Sequence, residues 1–439
     1  MMAYLPKIIF LILFIFSVGL FVRNCKKIIR NIRLGKIIDR SDQPQKRMLN
    51  MIRVAFGQSK MVSRPIAGIL HIVVYLGFIL INLELLEIII DGFTGSHRSF
   101  APYLGSFYAI LIGSFEVLAL LVIVAVLIFW WRRNGARIQR FWKPEMKGWP
   151  KRDADIILYI EAVLMLLFLS MNATDSLLQQ QAFKGYIQAG YFPVSQFLTP
   201  LFHQFSTAKL VLLERIFWWL HITGIFTFLN YLYYSKHLHI ILAFPNTYFA
   251  NLEAKGKLKV NIQIKNEVQQ MLFPETANTN EHSSIPEKFG ASDVFDLNRI
   301  QLLNAYSCTE CGRCTSVCPA NLTGKKLSPR KIMMDTRDRL EEVGKNMSKN
   351  KGEFIPDQKQ LLHDYISSEE LWACTTCNAC VEACPIEIDP LSIIVDLRQY
   401  LVMEKSQAPN ELNVMMSNIE NNGAPWPFSS QERMQWINE

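Results

Sequence analysis

Eight cysteines in the last third of the chain form two runs with identical spacing. The first run is Cys308-x-x-Cys311-x-x-Cys314-x-x-x-Cys318-Pro319, and the second is Cys374-x-x-Cys377-x-x-Cys380-x-x-x-Cys384-Pro385. Thiolates are soft ligands that suit iron–sulfur clusters, and this spacing is typical of a segment that holds a [4Fe–4S] cubane. The doubled pattern therefore predicts two cubanes, which accept and donate single electrons.

The fourth cysteine of each run is expected to reach the cluster of the other run, as is usual in two-cluster proteins with this spacing. One cluster would then be held by Cys308, Cys311, Cys314 and Cys384, and the other by Cys374, Cys377, Cys380 and Cys318. Structural zinc is the alternative, but zinc sites usually pair two CxxC halves. Disulfides are disfavoured because the charge pattern described next places this part of the chain in a reducing compartment.

Five apolar runs precede the cysteines in this chain of 439 residues, which carries a net charge of +8. We place them near residues 6–24, 66–90, 103–131, 154–175 and 208–235. Each is long enough, or nearly so, to cross a bilayer as a helix, which needs ~20 residues. The sequence thus predicts a multi-pass membrane protein whose polar last part lies outside the bilayer.

Among the segments that flank and connect these runs, segments rich in Lys and Arg alternate with segments that contain few. Residues 23–65 contain 12 Lys or Arg and residues 132–152 contain 8, whereas Lys7, Arg98 and Lys184 are the clear basic members on the other side. Basic loops stay inside, so we expect the N-terminus outside and the cysteine runs in the cytoplasm, in the cytoplasmic (inner) membrane. The basic tracts also suit anionic lipid headgroups, and since they flank membrane spans we expect no nucleic acid partner.

Three histidines in or near the spans are candidate haem ligands, because ligating groups in a bilayer are costly and usually functional. His71 lies about two turns into the second span, His221 near the middle of the fifth, and His239 at its cytoplasmic end. If the fifth helix runs on through Lys236, then His221 and His239 face the same way, roughly 27 Å apart, and His237 faces nearly opposite. A bis-imidazole haem b needs histidines at similar depth on facing helices, so we pair His71 with His239.

The role of His221 stays open between three alternatives. It could bind a single haem with His71, line a quinone pocket, or form a hydrogen bond within the bundle, which in membranes contributes ~1 kcal/mol. His97 and His203 are expected to be ordinary surface residues. Acidic residues in or near the spans could carry protons toward a quinone or sit at headgroup level; they are Glu84, Glu87, Glu116, Glu161 and Asp175.

The sequence divides into four parts by composition. Residues 1–245 hold the spans, 246–295 form a connector, 296–400 a cluster domain that is helical between the two cysteine runs, and 401–439 a tail. Ser328-Pro329 opens an amphipathic segment and predicts a helix start there. Lys257 to Ile264 alternates weakly and predicts a short strand.

These residues carry a resemblance to a known family. The five-span block with His71, His221 and the segment Tyr233 to His239 resembles the nitrate reductase gamma-type cytochrome b fold, and the cluster domain resembles the C subunit of heterodisulfide reductase. Their fusion is similar to membrane iron–sulfur oxidoreductases. The resemblance implies a mainly α fold, with a five-helix transmembrane cytochrome b-like bundle and an α-helical domain with two [4Fe–4S] clusters. Diheme members carry two histidines in the second span, where only His71 matches here.

The same resemblance implies a function and partners. Electrons would pass between a cytoplasmic redox partner and membrane quinone, the partner being electron-transfer flavoprotein or a heterodisulfide reductase B-like subunit with CCG motifs. This chain contains no CCG motif, so we expect another subunit to supply one and to dock on the tail through Trp426, Phe428 and Trp436. Two alternatives are a haem-free reductase that passes electrons from clusters to quinone, and a membrane-anchored redox sensor.

Overall fold

The computed structural model describes residues 4–258, 260–274 and 288–437, and its ordered elements are helical. Within those ranges, β-structure is limited to two isolated bridges, Lys36 with Asn298 and Leu362 with Ile366. The helices are α1 Leu5–Ile32, α2 Pro44–Met51, α3 Pro65–Thr94, α4 Ala101–Leu104, α5 Ser106–Asn134, α6 Trp149–Gln180, α7 Thr207–Tyr231, α8 His239–Tyr248, α9 Ile262–Leu272, α10 Arg299–Ser307, α11 Pro319–Leu322, α12 Pro329–Lys349, α13 Leu361–Asp364, α14 Ser368–Trp372, α15 Ala379–Ala383, α16 Pro390–Met403 and α17 Asn410–Asn422. The prediction of a mainly helical chain is confirmed.

Five helices are long and apolar enough to cross a membrane, and they coincide with the five apolar runs of the sequence. They span Leu5–Ile32, Pro65–Thr94, Ser106–Asn134, Trp149–Gln180 and Thr207–Tyr234. Each contains at least 28 residues, which exceeds the ~20 that a bilayer requires. Their outward faces carry large exposed apolar side chains, which suits helices surrounded by lipid.

The described residues divide into two compact units. The first comprises Met1–Arg30, Gln43–Tyr248 and the short segment Tyr306–Gly312. The second comprises Asn31–Asp42, Phe249–Ala305 and Arg313–Glu439. The first two cysteines of the first run therefore belong to the unit that contains the five long helices.

Small residues and aromatic rings hold the first unit together. A Cβ on Gly77 would lie 2.6 Å from Val122, and one on Gly224 would lie 2.7 Å from Leu164. Glycine thus lets α3 approach α5 and α7 approach α6, as is common where helices pack in membranes. The buried core includes Phe115, Phe168 and Ile222.

The second unit is organised around α12, whose start was predicted from sequence. Ser328 is its N-cap, and the Ser328 side chain accepts a hydrogen bond from the backbone N–H of Lys331, as expected of a serine cap. Arg339 of this helix is fully buried, where it donates to the carboxylates of Asp293 and Asp357. The predicted strand at Lys257–Ile264 is wrong, since α9 already begins at Ile262.

The fifth long helix does not continue through Lys236 as an α-helix. After α7, a 3₁₀ turn covers Leu232–Tyr234, Ser235 is extended (φ −112°, ψ 145°), and α8 begins only at His239. The Ser235 side chain caps the new turn by accepting from the backbone N–H of His237 at 3.0 Å. The prediction that His221 and His239 stack on one face of one helix is therefore wrong.

Candidate iron–sulfur and histidine sites

The two cysteine runs have the same backbone conformation. In the first, Glu310 and Gly312 have positive φ (55° and 71°), and at the equivalent positions of the second Thr376 and Asn378 do too (55° and 60°). The fourth cysteines also match, because Cys318 and Cys384 are both extended and both precede a proline. Since a β-branched residue such as Thr376 rarely adopts positive φ, this repeated conformation points to a shared local requirement.

This requirement follows from the direction in which residues with positive φ point their backbone N–H groups. Alternation of right- and left-handed residues turns successive N–H groups toward one concave side, which makes an anion-binding nest of the kind found at many iron–sulfur sites. One such contact is present in the second run, where the backbone N–H of Thr376 donates to the Sγ of Cys374 at 3.4 Å. Both loops are thus shaped to surround an anionic group held by thiolates.

Cys318 lies with the cysteines of the second run. Burial raises the pKa of the Cys374 thiol, and the neighbouring thiols of Cys318 and Cys377 raise it further. Burial also raises the pKa of Cys380 to about 12, with Asp389, Cys374 and Cys318 adding to the shift. Cys318 of the first run therefore lies near Cys374 and Cys380 of the second, and the crossed ligand sets stay a prediction.

The chemistry of these thiols suits a bound cluster better than a free thiol. A cysteine with a raised pKa is a poor nucleophile because the thiolate is the reactive form, whereas metal displaces the thiol proton on binding. Cys308, Cys318 and Cys380 are buried. Within the described residues, no three His, Cys, Asp or Glu side chains are arranged to hold a single metal ion; a cubane spreads its thiolates around a larger cage.

Three histidines gather at the end of the fifth long helix. The rings of His237 and His239 lie 5.5 Å apart. Burial lowers the pKa of His237 to about 3, and the nearby His239 and His71 lower it further. Burial also lowers the pKa of His239. His237 and His239 are therefore neutral at physiological pH, which is the form that ligates metal, and the predicted neighbours His71 and His239 do share this region.

His239 and His221 each present one ring nitrogen for further bonding. The Nδ1 of His239 lies 3.1 Å from the carbonyl of Lys236, and the Nδ1 of His221 lies 3.0 Å from the carbonyl of Leu164. Since a carbonyl only accepts, each Nδ1 carries the proton and each Nε2 keeps its lone pair, an arrangement common among metal-bound histidines. His221 lies well inside α7, with its ring 6.0 Å from that of Phe168.

A buried ion-pair network links this region to the first cysteine run. The Nζ of Lys236 forms an ion pair with Glu310, donates to the carbonyl of Pro150 at 2.6 Å, and lies 3.8 Å from Asp153. Asp153 also accepts from the Tyr231 hydroxyl at 2.7 Å and from the Lys236 backbone N–H at 3.1 Å. The loop between Cys308 and Cys311 is therefore anchored one residue away from His237.

A second polar network lies between α3, α5 and α6, and it corrects the prediction for His97. The Nε2 of His97 lies 3.2 Å from the carboxylate of Asp175, which also binds Arg98 at 2.7 Å. Asn172 joins Arg98 to Glu116, and Glu116 accepts from two backbone N–H groups, at Val194 and Ser195. His97 is therefore held by Asp175 and is not an ordinary surface residue, whereas His203 is exposed, as expected.

Sequence reasoning missed His237, Lys236, Glu310 and Arg398. His237 was set aside because an unbroken helix would have turned it outward. The signal that could have revealed the break is Ser235, since serine is a strong N-cap residue and His237 and His239 follow within one turn. No comparable sequence signal marks Arg398, which donates to the carbonyls of Leu371 and Cys374, each at 2.5 Å.

Comparison with known proteins decides the nature of the cysteine runs. Residues 307–388 match the family described as "4Fe-4S dicluster domain". The chain carries a dicluster iron–sulfur domain. Its boundaries enclose all eight cysteines of the two runs, so the prediction of iron–sulfur clusters is confirmed at the level of the domain.

The most similar curated proteins include iron–sulfur oxidoreductases, in agreement with the prediction from sequence. The "Probable iron-sulfur-binding oxidoreductase FadF" of Bacillus subtilis is 28% identical over 98% of this chain and 61% of its own length. The "EtfAB:quinone oxidoreductase" of Syntrophomonas wolfei is 27% identical over 92% of this chain and 55% of its own length. The C subunit of a ferredoxin/F(420)H(2)-dependent CoB-CoM heterodisulfide reductase from Methanosarcina acetivorans is 32% identical over 27% of this chain and 60% of its own length.

The chain thus spans little more than half the length of the first two of these relatives. No solved structure is significantly similar. The relatives are named as oxidoreductases or as a subunit of a reductase, and one of them is named for a quinone reaction.

Proposed function

We propose that this protein relays electrons between a soluble redox partner and membrane quinone, through two [4Fe–4S] clusters and a haem b. Each part of the chain has its own role in this proposal. Residues 1–245 reduce or oxidise the quinone, residues 246–295 connect the membrane part to the cluster domain, residues 296–400 carry the clusters, and residues 401–439 dock the partner. Direction of flow depends on reduction potentials, which for such clusters span about −700 to +450 mV.

Each cluster takes three ligands from one cysteine run and its fourth ligand from the other run. In this proposal Cys318 completes the set of Cys374, Cys377 and Cys380, and Cys384 completes the set of Cys308, Cys311 and Cys314. The influence of Cys318 on the pKa values of the Cys374 and Cys380 thiols supports the first set. The second set follows by the symmetry of the two runs and their matched backbone conformation.

The haem is assigned to His71 and His239, with His221 as a further candidate ligand within the bundle. Both His239 and His221 hold Nδ1 against a carbonyl and leave Nε2 for a ligand. A haem so held would supply a one-electron carrier. The carbonyls of Lys236 and Leu164 fix the tautomers of His239 and His221. Because His237 shares this place, it is the natural competitor of His239 as ligand.

The observation that carries the proposal is the ion pair between Lys236 and Glu310. It joins the loop of Cys308 and Cys311 to the turn that bears His237 and His239, all within the first unit. Burial lowers the pKa of Lys236, and Glu310 and Asp153 oppose that shift. Electron carriers must lie close to exchange electrons, and this contact holds the loop of two proposed cluster ligands beside the turn of two candidate haem ligands.

The proposed partner is electron-transfer flavoprotein or a CCG-type iron–sulfur protein on the cytoplasmic side, with the N-terminus outside. A relative named EtfAB:quinone oxidoreductase supports the flavoprotein, and the relative from the heterodisulfide reductase supports the CCG-type protein. In the tail, Trp426, Phe428 and Trp436 are exposed by 48%, 59% and 72%. Exposed aromatic side chains are frequent anchors of protein interfaces.

The direct test is turnover of the purified protein in lipid nanodiscs. With reduced electron-transfer flavoprotein as donor and a short-chain menaquinone analogue as acceptor, we expect quinol to form and sharp b-type haem bands to appear on reduction. Quinol formation without haem bands would favour the haem-free reductase. Reversible cluster oxidation with no quinone reaction, whichever of the two donor classes is used, would reject the relay in favour of a redox sensor.

Loss of the Lys236–Glu310 ion pair should slow transfer between clusters and haem without removing either. In Glu310→Gln, the neutral amide leaves Lys236 buried beside Asp153 alone, and the loop of Cys308 and Cys311 loses its charged anchor. We expect at least a tenfold slower reduction of haem by pre-reduced clusters in stopped-flow spectra, at unchanged iron content. Glu387→Gln, which follows the second run, is the matched control; equal rates in both variants would refute the anchoring role.

Removal of Arg398 should lower the potential of the cluster held by the second run. Its guanidinium binds the carbonyl of Cys374 and opposes the rise in the pKa of that thiol, so it favours added negative charge there. A lost nearby cation stabilises the oxidised cluster, and we expect Arg398→Gln to shift one cluster by tens of millivolts, on the order of 1 kcal/mol. Redox titration followed by paramagnetic resonance measures this; a shift in both clusters, or in neither, would contradict it.

A further inference from the structure

Three carboxyl groups lie on one buried face of α3. Glu84, Glu87 and Asp91 are spaced three and four residues apart, which places them on the same side of a helix, and they are 3%, 3% and 8% exposed. The helix that bears them is long and apolar enough to cross a membrane. Ionisable groups in such a place are costly and usually functional, so each of the three needs an explanation.

Two of these carboxylates hold the chain that follows α3. Asp91 accepts from the backbone N–H groups of Arg98 and Ser99, at 2.8 and 3.0 Å. Glu87 accepts from the backbone N–H of Phe100 at 2.7 Å. These bonds fix the turn between α3 and α4, so a structural role accounts for both residues.

No such role accounts for Glu84. Its Oε2 is buried and has no hydrogen-bond partner among the described residues. The charged groups that act on it most strongly are one cation and three acids, Arg98, Glu87, Glu116 and Asp175, and Arg98 already binds Asp175 at 2.7 Å. Because an ionised carboxylate without a partner is very costly to bury, Glu84 holds a proton.

A pocket lies beside this face, at the end of α3. Its volume is about 890 Å³, and its lining includes His97, Phe100 and Tyr103. Tyr103 is 88% exposed, so the pocket is open to its surroundings. Phe100 is the residue whose N–H binds Glu87, and Glu87 lies one helical turn from Glu84. A single carboxylate therefore stands between the pocket and Glu84.

We propose that Glu84 and Glu87 carry protons between this pocket and the quinone reaction. Reduction of one quinone consumes two electrons, which the clusters supply one at a time, and two protons, which enter from the pocket; the product is one quinol. Chains of acidic residues carry protons in membrane pumps and transporters. The inference rests on the proposed function and adds the place where protons enter, since Glu84 follows the candidate haem ligand His71 by 13 residues, or ~20 Å of helix.

A first test examines Glu84 without quinone. Infrared difference spectra of the full-length protein in nanodiscs, moved from light to heavy water, report the C=O stretch of protonated carboxyl groups whose proton exchanges. We expect Glu84→Gln, which matches the size of the neutral acid, to remove such a band. The control Glu214→Gln loses a buried carboxylate that Arg215 and Tyr186 hold, and it should keep the band. Identical spectra of Glu84→Gln and wild type would overturn the proposal.

A second test measures the protons in liposomes that contain a trapped pH dye. Reduced electron-transfer flavoprotein added outside reaches only molecules whose clusters face outward, and valinomycin with potassium removes the membrane potential. We expect the lumen to become alkaline as menaquinol forms. Glu84→Gln should slow quinol formation on the order of a hundredfold at unchanged reduction of the clusters, and Glu84→Asp should recover part of the rate.

The outcomes separate this inference from the proposed function. Normal quinol formation in Glu84→Gln, or uptake of protons from the outer solution, would overturn the role of Glu84 while the relay stands. Absence of quinol in wild type would count against the relay, and the infrared spectra would then decide whether Glu84 exchanges a proton.

Discussion

Cys318→Ser is expected to abolish the cluster associated with the second cysteine run, although Cys318 belongs to the first. The thiols of Cys374 and Cys380 lie near Cys318, and a serine hydroxyl is a poor substitute for a soft thiolate. Iron content should fall from about eight to about four atoms per chain, as one of two cubanes is lost. Paramagnetic resonance should retain only the signal of the cluster held by Cys308, Cys311 and Cys314.

Two matched variants make this result decisive. Cys384→Ser should remove the other cluster, so the two spectra should be complementary. Cys25→Ser, which changes the cysteine outside the runs, should leave both signals intact. If Cys318→Ser instead removes the signal that Cys308→Ser removes, each run holds its own cluster and the crossed assignment fails.

Haem incorporation is expected to fail in both His71→Ala and His239→Ala, while both clusters remain. A haem held by two imidazoles would lose one of its protein ligands in either variant, because alanine has no ligating nitrogen. We expect the reduced b-type bands to decrease at least tenfold relative to protein concentration, with the iron–sulfur signals unchanged. The measurement is a dithionite-reduced difference spectrum together with paramagnetic resonance of the same sample.

His237→Ala and His203→Ala serve as comparisons. His203 is exposed and should have no effect, whereas His237 lies beside His239 and is the alternative ligand. Loss of haem in His237→Ala but not in His239→Ala would transfer the ligand role to His237. Full haem content in all of these variants, including His221→Ala, would show that these histidines bind no haem.

The spans and the cysteine sites could be predicted because each rests on local sequence information. A long apolar run in a bilayer forms a helix, because the helix satisfies all of its backbone hydrogen bonds internally. The limits of α3 and α5 accordingly fall close to those predicted. The thiolate spacing of the cysteine runs is dictated by the cubane itself, so the pattern alone indicates the cluster. The N-cap at Ser328 is equally local, since its side chain satisfies the start of its own helix.

The break at Ser235 was harder to predict, because apart from the capping serine it depends on contacts distant in sequence. Nothing between Tyr231 and His239 is a strong helix breaker, and an uninterrupted helix was the simpler expectation. The helix ends there because Asp153 of α6 binds both the Tyr231 hydroxyl and the Lys236 backbone. The contact of His97 with Asp175 was missed for the same reason, because its partner lies 78 residues away along the chain.

The relay itself is tested most directly by reoxidation of the clusters with a lipid-soluble quinone. The purified protein in nanodiscs would be reduced anaerobically, freed of reductant and mixed with a menaquinone analogue, and the reduced cluster signals followed by freeze-quench paramagnetic resonance. We expect both signals to decay as quinol forms, and more slowly in Glu310→Gln. Signals that persist with quinone present, yet disappear at once on addition of ferricyanide, would contradict it.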